Sequence, residues 1–312
     1  MTRYKHPRQG HAGRGMVPGD GDYIDRITVC ALDAALAFPL QYAIKGGRVT
    51  AREDLLQALQ DLLQRIAATR NSSLALEQSV LAQARQLAEA YEDDGDDIDL
   101  RVFYVLGWLY WYRYLALPQG QGHADVETSI DTLIPCFING VEPLPDPLLP
   151  ILALKAAPTA RRILEQAIGS TDQTMLSATV QLWQRILNAT AVDRPERATY
   201  LSDLALALQT RFESTGAMAD LDEAIQRLQQ AEQVTPADHP HRIATLHNLG
   251  NALHIRFERT RTVANLNEAI HRLRQAEQIT TADHPDRAGI LGSLGLALHT
   301  RFESTGATAD LD

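Results

Sequence analysis

Residues 211–255 read RFESTGAMADLDEAIQRLQQAEQVTPADHPHRIATLHNLGNALHI, and residues 256–300 read RFERTRTVANLNEAIHRLRQAEQITTADHPDRAGILGSLGLALHT. Aligned without a gap, the blocks agree at 27 of 45 positions, so the chain carries a repeat of 45-residue period. Arg211-Phe212-Glu213 returns as Arg256-Phe257-Glu258 and again as Arg301-Phe302-Glu303. Asp238-His239-Pro240 returns as Asp283-His284-Pro285.

Each unit reads as two helices. Over 244–260, Leu246, Leu249, Gly250, Leu253 and Phe257 fall on one face at helical spacing; over 265–280, Leu266, Ala269, Ile270, Leu273 and Ala276 do the same. The Asp-His-Pro turn starts the next unit, with Asp238 or Asp283 expected to accept from the free N–H groups of the new helix. Gly250, Gly295, Ala269 and Ala276 lie on the apolar faces, where short side chains let two antiparallel helices approach closely. One such pair leaves its outer face open, so stacking of neighbours is required and the array reads as a solenoid.

The order Leu246, Leu249-Gly250, Leu253, Ala269, Leu273, Ala276 with the closing Pro236 resembles the tetratricopeptide signature. The unit is longer than the ~34-residue form, with the additions in the first helix and in the Thr-Pro-Ala-Asp-His-Pro connection. It is similar to the long-repeat tetratricopeptide arrays of actinobacterial proteins that often end in a caspase-like CHAT domain. The resemblance implies an all-α, right-handed α-solenoid of helix–turn–helix repeats with a divergent helical N-terminal region.

Fainter copies lie upstream. Leu106-Gly107 and Arg113-Tyr114 match Leu249-Gly250 and Arg256-Phe257, and Asp125 to Ile130 echoes Asn265 to Ile270. Residues 177–190 align with the second helix that ends at Thr235. Four prolines in 141–150 make an extended link, followed by a helix over 152–168 of poor repeat character. Nearer the N-terminus, helices are expected over 23–44, 51–69 (Thr50 and Glu53 forming a capping box) and 73–92, with an acidic loop at 93–99. The expected organisation is a disordered Gly-rich tail (1–22), a divergent helical region (23–140), a proline-rich link and helix (141–176) and regular repeats (177–312), the last incomplete.

Composition narrows the function. The 312 residues carry a formal net charge of -10 and are 45% hydrophobic, which argues against a nucleic-acid or anionic-membrane binder. The most apolar run, 27–44, is interrupted by Asp33, Pro39 and Gln41 and is too short and polar to span a bilayer. Cys30 and Cys136 read as reduced, buried thiols of a cytoplasmic protein. They lack the context of a Cys–His dyad, so no catalytic residue is assigned and any CHAT domain would lie beyond residue 312. His239, His241, His247 and His254 cluster in sequence, but His239 and His254 recur as His284 and His299, so the histidines read as structural and no metal or cofactor is expected.

Candidate partner-binding residues follow from the resemblance, which places groove-lining positions on the first helix of each unit. These are Tyr104, Trp108 and Trp111, then Ser202, Leu206 and Gln209, then His247, Asn251 and His254, then Gly292, Leu296 and His299. The site is assigned to Tyr104, Trp108, Trp111, Gln209, His247, Asn251, His254 and His299. The aromatic cluster 103–114 covers a whole helix circumference, so its rings meet other helices of the core or a ligand. No lysine follows Lys155, so a clamp for a peptide carboxylate is not expected.

Residues 301–312 repeat 211–222 at 11 of 12 positions and stop where a second helix should begin. Leu291, Leu294, Leu298 and Phe302 would be left open, so the expectation is that the natural protein continues or that this end pairs with another chain. The leading expectation of function is a non-enzymatic scaffold or sensor that binds a protein or peptide. The alternatives are the sensor arm of a CHAT-type protease, with that effector domain as partner, and a small-molecule receptor using residues 103–114.

Overall fold

The computed structural model describes residues 51–93 and 98–306, so the expected tail (1–22) and the helix over 23–44, with Cys30, lie outside the described residues. Thr50 of the expected capping box lies outside them too. Among the described residues there are eleven α-helices and no strand. They are α1 (Ala51–Thr69), α2 (Gln78–Asp93), α3 (Leu100–Ala116), α4 (His123–Asn139), α5 (Leu149–Ala167), α6 (Gln173–Asn188), α7 (Arg197–Thr215), α8 (Met218–Val234), α9 (His241–Thr260), α10 (Val263–Ile279) and α11 (Arg287–Thr305). Short 3-10 turns cover Ser72–Leu76 and Asp146–Leu148. No helix among the described residues is long and apolar enough to cross a membrane.

The chain divides into two compact units. The division passes inside α4, between Asp131 and Thr132, rather than at residue 140, and the link and helix of 141–176 fall almost entirely with the regular repeats.

In the first unit, α3 is buried around most of its circumference: Val102, Tyr104, Val105, Leu106, Trp108, Leu109, Trp111 and Tyr112 are all interior. It packs on α1, α2 and the 72–76 turn, and Arg113 Nη1 donates to the Ala75 carbonyl at 3.0 Å. Asp99 caps α3 by accepting from the Arg101 N–H at 3.0 Å and meets Arg52 Nη2 and Arg101 Nη2 at 2.7 Å each. Burial opposes its ionisation, but the Arg101 hydrogen bonds and charge outweigh that and hold the carboxyl below its usual range. Residues 94–97 of the expected acidic loop lie outside the described residues; Asp99, its last member, is a structural carboxylate. Arg113 Nε donates to Asp125 Oδ1 at 3.2 Å. Arg211, its repeat counterpart, grips Asp220 through Nε (2.8 Å) and Nη2 (2.6 Å).

In the second unit each helix packs on its neighbours in sequence, an order compatible with a helical solenoid. First helices also meet first helices: α5 meets α7, α7 meets α9, and α9 meets α11. Leu246, Leu249, Leu253 and Phe257 of α9 are buried, as are Leu266, Ala269, Ile270, Leu273 and Ala276 of α10.

The turns between units are held differently from the sequence expectation. His239 Nδ1 accepts from the His241 N–H and His284 Nδ1 from the Asp286 N–H, each at 3.2 Å, so the ring accepts where Asp238 and Asp283 were expected to. An arginine seven residues after a threonine completes the lock. Arg197 Nη1 donates to the carbonyls of Leu187 and Thr190, Arg242 Nη1 to those of Glu232 and Thr235, and Arg287 Nη1 to that of Thr280. These carbonyls close the preceding helix, whose last turn lacks intrahelical donors.

Gly250 shows why a small residue is needed. A β-carbon there would stand 2.6 Å from Leu273 Cγ and 3.2 Å from the Ala269 carbonyl oxygen, a branch point and a backbone atom that cannot swing aside. At Gly295, one repeat later, a β-carbon meets nothing within 4 Å. Alanine in a helix interior gains up to ~1 kcal/mol over glycine, whereas overpacking costs ~1–3 kcal/mol. Gly250→Ala is therefore expected to lower the melting temperature and Gly295→Ala to raise it, in the same thermal scan. A shift of the same sign at both positions defeats this account.

Candidate functional site

Three first helices from three successive positions enclose a cleft of about 590 Å³ in the second unit. Helix α5 supplies Leu154, Ala157, Pro158 and Arg161; α7, with Glu196 just before it, supplies Thr199, Tyr200, Ser202, Asp203 and Leu206; α9 supplies His241, Ala244, Thr245 and Asn248. The spacing follows from helical geometry, since Thr199, Ser202, Asp203 and Leu206 share one face at steps of three, one and three. The walls mix apolar, neutral polar and charged groups, and Leu154 is 41% exposed.

One ion pair crosses the cleft. Arg161 Nε donates to Asp203 Oδ2 at 3.1 Å, with the arginine side chain 45% exposed and the aspartate 19%. Burial pushes the Asp203 carboxyl above its usual range, and the Arg161 charge, helped by its hydrogen bond and by His241, offsets this only in part. Tyr200 stands beside it, buried, with its ring 6.0 Å from that of Trp183; burial raises its phenol pKa as well. Toward α9, Ser202 Oγ and Thr245 Oγ1 approach to 3.5 Å.

None of the eight residues assigned from sequence lines this cleft. Tyr104, Trp108 and Trp111 are 4, 2 and 1% exposed, inside the first unit. These three rings therefore offer no open surface to a partner, while Phe103, Tyr110 and Tyr114 of the same helix are half-buried. The contacts of the three are internal, with Trp108 5.5 Å from Tyr112 and Trp111 5.3 Å from Tyr114 between ring centroids. The same burial pushes the Tyr112 phenol up to about 12.

The structure does bring His247 and Asn251 together, at the junction of α9 with α11. Asn251 Nδ2 lies 3.2 Å from His247 Nε2, which lies 3.0 Å from Ser293 Oγ. Desolvation lowers the His247 pKa, with Asp286 opposing it, so the ring is neutral in neutral solution. One turn pair further, the buried His254 places Nε2 3.2 Å from Thr300 Oγ1. These pairs zip first helix to first helix. His299 is exposed, 3.8 Å from Glu303, and Gln209 is half-buried on α7. Cys136 is buried and its thiol is pushed up to about 12 by burial, a protonated small hydrophobe at neutral pH. Among the described residues no three His, Cys, Asp or Glu side chains converge on a metal position.

No family model, curated protein or solved structure matches this chain. The site therefore rests on its own geometry. Ser202 and Leu206, two of the groove positions named from the repeat pattern, do line the cleft. Arg161, Pro158 and Leu154 were missed because α5 has no repeat character; the signal that marks them is their spacing at three and four residues on one face of that helix.

Proposed function

We propose that this chain is a non-enzymatic cytoplasmic interaction scaffold of the tetratricopeptide type, a right-handed α-solenoid that binds a peptide segment of a protein partner in the cleft between α5, α7 and α9. The observation that supports this reading is that the cleft is assembled from three separate first helices, each contributing both apolar and hydrogen-bonding groups. Such a surface offers many shallow contacts along an extended or helical segment, which is how grooves of packed helices recognise peptides. Its mixed lining carries polar groups that fix register and apolar ones, Leu154 and Leu206, that supply burial.

The test selects a displayed random peptide library on the full chain and rescreens the winners on Ala244→Trp. Ala244 is exposed and lines the cleft, so an indole there fills the site without disturbing the core. The selected peptides are expected to lose at least tenfold in affinity on Ala244→Trp, with unchanged melting. Winners that bind both proteins equally would place recognition elsewhere and defeat the proposal.

A further inference from the structure

We propose that the cleft selects a peptide carrying a basic residue, whose guanidinium or ammonium takes the Asp203 carboxylate and displaces Arg161, an internal stand-in for that residue. This rests on the peptide-binding reading above and adds to it the chemistry of recognition.

Charge sets the direction. The cleft holds two carboxylates, Glu196 and Asp203, against one permanent cation, Arg161. Arg194, at the rim, answers Glu196 at 3.4 Å, so the charge left for a ligand is that of Asp203, which an incoming anion would meet with only an already engaged Arg161 beside it. An incoming cation meets the Asp203 carboxylate as soon as Arg161 swings away, on a chain whose formal net charge is -10.

The existing pair is built to yield. Arg161 engages through Nε alone and reaches only Oδ2. Oδ1 accepts from no group among the described residues, although a carboxylate can take a two-pronged guanidinium. The two partners are unequally buried: the arginine side chain is nearly half-exposed, whereas the aspartate is mostly covered. Arg161 can therefore swing to solvent at small cost, since exposed pairs contribute little. The aspartate cannot leave. A peptide arginine entering bidentately would replace one hydrogen bond with two and shield the carboxylate from water.

The neighbours suit the rest of such a side chain. Leu154, Ala157, Pro158 and Leu206 offer an apolar path for a long methylene stem, with its charged end at Asp203. Thr199, Ser202 and Asn248 remain to meet the peptide backbone.

The experiment uses the library winners from the full chain at pH 7.5. Their sequences are expected to share one position enriched in arginine or lysine. Replacing that residue by citrulline, which keeps shape and loses charge, should weaken binding about ten- to hundredfold, the span of a charge-assisted hydrogen bond. Asp203→Asn should cause a similar loss, with no further loss when combined with citrulline. Arg161→Met should instead tighten the arginine peptide severalfold and leave the citrulline peptide unchanged. A purely structural role for the pair would make both variants weaken binding. If Asp203→Asn fails to fold, the citrulline and Arg161→Met arms still decide. Winners without a basic position that remain sensitive to Ala244→Trp would overturn this inference and leave the peptide-binding reading standing. Winners indifferent to Ala244→Trp would overturn both.

Discussion

Trp111→Ala is expected to destabilise the first unit by ~3–5 kcal/mol, the cost of deleting a buried tryptophan from a packed interior. Trp111 is 1% exposed, and its indole stacks obliquely on Tyr114 at 5.3 Å. It belongs to a helix with buried residues on nearly every side, so the void left by truncation opens in the middle of the unit. Neighbouring helices can collapse into such a space only by moving α1 and the 72–76 turn, which Arg113 holds through the Ala75 carbonyl. Hydrogen exchange followed by mass spectrometry on the full chain is the measurement. Protection is expected to fall across α1–α3 while α7–α10 keep theirs, because stability is held locally in cooperative pieces. A variant with unchanged protection and altered ligand binding would return the aromatic cluster to the role of a binding patch.

That outcome bears on how function reads from sequence here. The period of 45 placed α9 and α10 to within three residues at each end, because a repeat supplies two copies of one apolar pattern and each checks the other. The start of α9 at His241 rather than residue 244 was missed although Ile243, packed on Leu246, Ala276 and Ile290, extends the apolar face; a histidine nitrogen and the Arg242 guanidinium define that end. The same arithmetic misled at 103–114. Register put Tyr104, Trp108 and Trp111 on the ligand-lining positions of a first helix, but register says nothing of what lies opposite. Here other helices of the first unit lie opposite, and the rings became core. Gly250 and Gly295 show the converse. Identical in register, they differ in need, because α10 presses Leu273 on the first and nothing within 4 Å meets a β-carbon on the second.

The cleft was legible by half. Ser202 and Leu206 follow from the repeat, yet the opposite wall belongs to α5, whose sequence matches no repeat unit. Arg161 and Asp203 stand 42 residues apart with no motif joining them. Their relation is created by packing of α5 on α7, and only a three-dimensional arrangement exposes it.

Arg242→Met should destabilise the second unit by ~2–3 kcal/mol, more than a surface arginine is worth. The guanidinium hydrogen-bonds two backbone carbonyls, of Glu232 at 3.3 Å and Thr235 at 3.1 Å, and stands 3.7 Å from the Glu232 carboxylate. Charged donors to such acceptors contribute ~1.5–3 kcal/mol, and acceptors left without a donor at a helix end add the cost of their desolvation. Among the described residues outside the helix ladders no backbone N–H donates to the Thr235 carbonyl, so the arginine is its donor. Glu232 would keep Arg272 at 2.8 Å, which limits the loss on the carboxylate side. Methionine preserves the stem and its packing, so the change isolates the donors. Arg197 likewise bonds two carbonyls and should cost a similar amount, whereas Arg287 bonds one carbonyl, of Thr280, with the Glu277 carboxylate at 3.4 Å, and should cost less. Chemical denaturation of the three variants checks the magnitude, and protease cleavage within 235–241 checks the place: opening of that turn is expected in Arg242→Met alone. Equal stability of variant and parent would mean that water replaces the guanidinium without loss, and that the threonine–arginine spacing has a purpose other than joining one unit to the next.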